Sequence, residues 1–305
     1  MYALISLAGA LAFLVVLLRF KVRLGTSMLL AALGLAMLLG VSPAKFGQRL
    51  VVEWREKQLS QTTGYLFVTI TALVTLVNVL GAAMRETDVS QRLVSALHGL
   101  FKSRRLALIG IPMMMGMLPT PGGIMLSAPM VRDLGDHIGI DRSQSGAINF
   151  FFRHQLETVW PLFPAVPVIQ GILGVSALNL ISHNMAIMLA GTLGGAIFLL
   201  LRGIPSRKGQ RRPKGKLLHD LRDFAGAFWP IVLVAALYAA FDLPPAAGLL
   251  PAILVFLVLH RFPLKRWGAM FRSGFKFDFV LLIFGAMVFK VNLEAGNAVE
   301  EIVFF

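Results

Sequence analysis

The stretch NFFFRHQLETVWPLFPAVP (149–167) sets polar side chains into apolar surroundings. Asn149, Arg153 and Glu157 stand at i, i+4 and i+8, which places them on one helix face. Trp160 lies close to that face, and His154 is turned from it by about 100°. Ionisable groups at membrane depth are rare and mark solute pathways or internal pairs. Arg153 can hold an anionic group there, and Glu157 or His154 can exchange a proton. Two plainer readings compete. Arg153 and Glu157 neutralise each other and pack this helix against its neighbours, or Arg153 snorkels to an interface. Pro161, Pro164 and Pro167 follow, and each removes a backbone donor, so the helix predicted over 145–173 is broken.

A second stretch, MLPTPGGIMLSAPMV (117–131), carries the strongest helix-breaking signal in the chain. Pro119, Thr120, Pro121, Gly122 and Gly123 form a turn signature, because Pro fixes φ and Gly admits positive φ. Arms over 106–118 and 123–131 reach roughly 13–20 Å at about 1.5 Å per residue. That depth suits a re-entrant hairpin with its tip near mid-membrane, a device that exposes helix ends to a solute. A packing kink without a ligand is the alternative. Ser127 is a candidate ligand on the second arm, though small residues equally serve close helix packing. Asn78, in TLVNVLG, either lines the same cavity or bonds a neighbouring helix.

These stretches need a membrane around them, and the composition supplies it. The chain has 305 residues, of which 57% are hydrophobic and 14% charged. A span takes about 20 mostly apolar residues, and the runs 24–44, 58–84, 106–131, 158–201, 224–241 and 243–260 carry no Asp, Glu, Lys or Arg. The fold class predicted is an all-α polytopic membrane protein, since spans must satisfy their own backbone hydrogen bonds. The N-terminus lacks a secretory n-region and cleavage site and reads as a retained span. There is no cysteine, which removes thiolate metal sites and cysteine nucleophiles.

The net charge of +14 belongs to cytoplasmic loops rather than to a nucleic-acid surface. The loop 202–223 holds eight Lys or Arg and is placed in the cytoplasm. With 106–131 re-entrant, inside loops hold 23 of the 29 basic residues and the N-terminus lies outside. A crossing segment would move basic residues to the wrong side. Trp54 in RLVVEWREKQL (49–59) fits an interfacial amphipathic helix; Lys290 also reads as interfacial.

Enzyme signatures are absent: no HExxH, GxSxG or Walker loop occurs. His154 and Glu157 could offer two metal ligands, but no further His or carboxylate stands at matching spacing. An intramembrane enzyme built on this pair would lack a third catalytic group. Without an ATP-binding domain, transport must draw on an ion gradient or run passively.

The spans also repeat. Residues 1–201 form a first repeat, 202–223 a basic cytoplasmic linker, and 224–305 the start of a second repeat of inverted topology, as in secondary transporters. The second repeat is incomplete, and the chain is expected to be a truncated or split version of a longer protein.

The strings PTPGG…SAPM and FRH…E…WPL…P, with FKVNLEAGNAVEEI (289–302), resemble a prokaryotic membrane-protein family known as "domain of unknown function" number 401. It is grouped with the ion transporter superfamily, beside gluconate, citrate, arsenite and dicarboxylate carriers. The resemblance implies two inverted repeats, each with a re-entrant hairpin and an unwound helix meeting at the substrate. By position, 119–123 would be the first hairpin tip and 161–167 the broken helix; the partner hairpin would lie in a missing last quarter. Dicarboxylate carriers have a Ser-Asn-Thr tip where this chain has Pro-Thr-Pro-Gly-Gly, so the resemblance by itself does not carry over a dicarboxylate substrate or sodium coupling. The expectation is a secondary transporter of a small anion in the cell (inner) membrane, driven by H+ or Na+, with no other cofactor. Its partners are the lipid bilayer, the solute and, by resemblance, a second copy. A non-transporting scaffold is the competing class.

Overall fold

The computed structural model describes residues 2–101, 103–117, 122–201 and 216–303. Every regular element among them is a helix: α1 (Tyr2–Arg19), α2 (Leu24–Leu38), α3 (Pro43–Glu56), α4 (Thr63–Glu86), α5 (Val89–Leu100), α6 (Arg104–Gly116), α7 (Gly122–Asp136), α8 (Arg142–Arg153), α9 (Ala165–Leu173), α10 (Ala177–Leu201), α11 (Lys216–Phe241), α12 (Pro245–Leu259), α13 (Leu264–Gly274), α14 (Phe277–Ala295) and α15 (Ala298–Val303). Four of these, α1, α4, α10 and α11, contain segments long and apolar enough to cross a membrane. The α2–α3 pair, bent by 104°, makes a fifth if it counts as one span. The chain is an all-helical protein of multi-pass character.

Two compact units divide the chain, residues 1–74 with 276–305, and residues 75–275. One boundary between them falls inside the continuous helix α4. The linker reading is shortened at one end, because α11 already starts at Lys216. Residues 202–215 lie outside the described residues.

In the first unit α2 packs along α14, and α1 packs on α2 and α15. Small residues bring the first two backbones together. A Cβ on Gly25 would meet Asp278 O at 2.3 Å, and one on Gly285 would meet Leu29 N at 2.8 Å. Such approach is how helices associate where lipid removes the hydrophobic drive. Asn292, 2% exposed, donates Nδ2 to Ala32 O across the same seam at 2.9 Å.

The second unit packs α11 against α5 and α12, and gathers α6, α7 and α8 into mutual contact. Gly99 on α5 leaves no room for a Cβ beside the Asp220 carboxylate. The α11–α12 pair is centred on apolar side chains, with Ile253, Phe256 and Leu257 fully buried.

Helix endings recur along the chain. At the end of α2, Leu39 N donates to Leu35 O, Gly40 N to Met37 O and Val41 N to Ala36 O. At the end of α12, His260 N, Arg261 N and Phe262 N donate to Phe256 O, Val258 O and Leu257 O. The two sets match residue for residue at one constant offset, with Gly40 and Arg261 both at positive φ. The end of α4 (Thr87 N to Ala83 O, Asp88 N to Arg85 O) recurs at the end of α14 (Gly296 N to Asn292 O, Asn297 N to Glu294 O). Asp88 and Asn297 are left-handed there, at φ 56° and 54°. The end of α1 has the same three bonds as those of α2 and α12, with Lys21 at φ 60°, so this left-handed ending is the common C-cap of these helices.

Candidate functional site

The opening of the site is the α6–α7 hairpin. Its arms are 13 and 15 residues long, about 20 and 22 Å at 1.5 Å per residue, short of a bilayer core of about 30 Å. Each arm contains a proline, Pro112 and Pro129. Pro119, Thr120 and Pro121 lie outside the described residues; Gly122 and Gly123 open α7. Ser127, on the buried side of α7, is 0% exposed, and its Oγ has no hydrogen-bond partner among the described residues.

Helix α8 starts at a side-chain cap, Asp141 Oδ1 accepting from Gln144 N at 2.8 Å, a typical N-cap bond. It stops at Arg153. Successive tight turns then run from His154 to Phe163, with His154, Gln155 and Glu157 N–H groups each bonded three residues back. The helix was expected to break at its prolines. It breaks seven residues before Pro161, further back than that proline's own steric reach to the carbonyl of Glu157. Pro167 sits inside the first turn of α9, where a missing N–H is harmless.

That early break separates the expected stripe. Glu157 is not on a helical face with Arg153. It faces His154, with Nε2 to Oε1 at 3.6 Å, while His154 Nδ1 donates to Phe150 O at 2.6 Å. Arg153 is 7% exposed, so it does not snorkel out of the protein. Its Nη1 donates to Met115 O at 3.4 Å, and no carboxylate among the described residues stands within ion-pair distance. Trp160 Nε1 donates to Met117 O at 2.9 Å. The broken segment therefore grips the C-terminal carbonyls of α6. Gly116 makes this possible, since a Cβ there would lie 2.2 Å from Arg153 O. Asn149 is buried on α8 one turn before Arg153, and its Oδ1 has no partner among the described residues.

The remaining sequence candidates fall away from this cluster. Asn78 spends its amide on Gly274 O at 3.3 Å, the neighbouring-helix role. Among the described residues no group of three or more His, Asp or Glu could hold a metal ion.

A polar centre in the first unit escaped sequence reasoning. Glu53 on α3 is 1% exposed. Its Oε1 pairs with Lys290 Nζ at 2.6 Å and Lys57 Nζ at 3.1 Å, and its Oε2 accepts from Thr63 N at 3.0 Å. Glu294 joins the cluster, 3.0 Å from both Lys290 and Arg49. Lys290 is thus held inside the fold rather than freely interfacial. Burial alone would raise the Glu53 carboxyl, but the bonds from Lys290 and Thr63 outweigh it and hold its pKa at about 2. The one hint in the sequence was the i, i+4 pair Glu53–Lys57. Trp54, its neighbour on amphipathic α3, is exposed as expected.

A family described as a protein of unknown function, DUF401, matches residues 3–305. The chain belongs to this family. The match covers both units, so α6, α7 and the broken segment after α8 belong to the family's own region. No curated protein matches the chain.

Proposed function

We propose that the chain is the core of a secondary transporter for a small anion, with Arg153 as the anion-binding group. The observation that carries this reading is the state of Arg153: a buried guanidinium, at a helix break, with no carboxylate in direct ion-pair contact among the described residues and only the longer-range charge of Glu157 facing it. Holding Arg at mid-membrane costs about 2.5–3.5 kcal/mol or more, and one long bond to a carbonyl is weak compensation. An anion supplies what is missing, through charge-assisted and bidentate hydrogen bonds. Buried Asn149 and Ser127, each with an unused oxygen, sit on the helices packed around it and are assigned to the same site. His154 and Glu157, paired and partly exposed beside the break, are assigned to proton exchange. Whether H+ or Na+ drives transport is a matter for assay.

The inverted repeat belongs to the same proposal. Helices α1–α5 and α11–α15 follow the same order of long span, short apolar helix, amphipathic helix, span and short helix. Their endings match as described, and α1 packs on α15 as α11 packs on α5. The distribution of Lys and Arg orients the two series oppositely in the cell (inner) membrane, with 202–223 cytoplasmic.

A second reading has its own observation. Arg153 and Trp160 both cap carbonyls of α6, which a scaffold would also need. The two readings separate by thermal unfolding of the purified protein against a panel of small carboxylates, phosphate and sulfate. Transport predicts that at least one anion raises the midpoint of wild type and leaves Arg153→Gln unmoved. A scaffold predicts a lowered midpoint in Arg153→Gln and no anion response in either.

A further inference from the structure

We infer that a basic cleft on the second unit, between α5, α11 and α12, binds a phosphate group, carried by an anionic phospholipid headgroup or by free phosphate. The cleft holds about 190 Å3. Three cationic or cation-forming side chains reach it from three helices: Arg92 from α5, Arg222 from α11, and His260 from the end of α12. Gly226 and Ala227 provide its small-residue wall.

The charges around the cleft are not internally balanced. Asp223, its one carboxylate, is turned to His219, with Nδ1 to Oδ2 at 3.4 Å. Arg92 donates Nη2 to Thr87 O at 3.1 Å and meets no carboxylate among the described residues. Arg222 makes no hydrogen bond or ion pair among the described residues. His260 donates Nδ1 to Phe256 O at 2.9 Å, which fixes its ring with Nε2 left free. Two exposed guanidinium forks line one small cleft, and an anion between them can bond both. Tetrahedral phosphate oxygens match two forks at once. Basic pockets between membrane helices near the polar boundary are suited to anionic headgroups. The apolar surroundings agree with a lipid source: Leu218 and Leu221 on α11 and Leu259 on α12 are exposed beside the cleft's helix ends. This cleft is independent of Arg153 and of the transport reading.

Gly226 offers a clean block. A Cβ there meets nothing within 4 Å, so Gly226→Leu occupies the cleft without displacing the fold, and leucine suits a helix better than glycine. The test uses the purified full chain of wild type, Arg92→Gln/Arg222→Gln, and Gly226→Leu. Each is placed in nanodiscs of phosphatidylglycerol or of phosphatidylcholine, and separately titrated with inorganic phosphate in detergent. Lipid retention is read by native mass spectrometry, and stability by thermal unfolding. The headgroup source predicts phosphatidylglycerol retained by wild type and bound about tenfold more weakly by both variants, with no response to phosphate. The free-phosphate source predicts a phosphate-dependent rise in the wild-type midpoint that both variants lose. Equal lipid retention in all three proteins together with no phosphate response overturns the assignment. So does a phosphate response that both variants keep.

Discussion

Replacing Glu53 by Gln tests whether the buried charge cluster holds the first unit together. The substitution keeps the shape and an acceptor for Thr63 N, but removes the charge facing Lys290 and Lys57. Losing one partner of a buried ion pair costs about 3–5 kcal/mol, because the other charge stays buried and uncompensated. Lys290 keeps Glu294 at 3.0 Å and Thr63 Oγ1 at 3.1 Å, and Lys57 is partly exposed. The loss therefore falls near the lower end, about 3 kcal/mol. For a chain of this size that is about 6–12 °C in the unfolding midpoint. The assay is tryptophan fluorescence on heating, in detergent, for wild type, Glu53→Gln, Lys290→Met and the double variant. Because an apolar replacement of a whole buried pair is often neutral, the double variant is expected to lie above Glu53→Gln. A Glu53→Gln midpoint within 1 °C or so of wild type, or a strictly additive double variant, refutes the coupling.

Acid should expose the same group. Its folded pKa is depressed from 4.5 to about 2, so its stabilisation is complete above about pH 4.5 and is lost as pH falls through 2. The midpoints of wild type and Glu53→Gln are therefore expected to converge between pH 5 and 2 and to stay apart above it. Gly116→Ala should lower the midpoint by the equivalent of about 1–3 kcal/mol through overpacking, since its Cβ would lie 2.2 Å from Arg153 O; an unchanged midpoint and unchanged anion response would separate α6 from the break. Gly25→Leu should prevent α2 from closing on α14, read as loss of a monodisperse peak in size-exclusion chromatography. Gly64→Ala, with open space around its Cβ, is the matched control and should behave as wild type.

The long helices were legible from the sequence because apolar runs report on length and composition. The four helices long and apolar enough to cross a membrane, α1, α4, α10 and α11, fall on such runs, and a break in the segment 145–173 is found as expected. The position of the break was not legible: α8 ends at Arg153, one turn earlier than the reach of Pro161 to the carbonyl of Glu157, and Glu157 leaves the expected face. Glu53 was hidden for a different reason. Its partners, Lys290 and Thr63, are distant in sequence, and nothing in RLVVEWREKQL distinguishes a buried carboxylate from a solvated one. The grouping of α14 with α1–α3 was hidden likewise, because chain order alone does not say which helices exchange partners. Gly116 and Gly25 carried no motif; only the approach of another backbone shows why they lack a side chain.

The central claim is that Arg153 holds a transported anion. Purified wild type and Arg153→Gln should be reconstituted at equal density and orientation, and currents recorded on a solid-supported membrane as each small carboxylate, phosphate or sulfate is jumped in. The account predicts a current or a counterflow signal for at least one anion in wild type, absent in Arg153→Gln although that variant inserts and folds. Equal signals from both proteins would take Arg153 out of the site, and silence from wild type for every anion would contradict transport of this class.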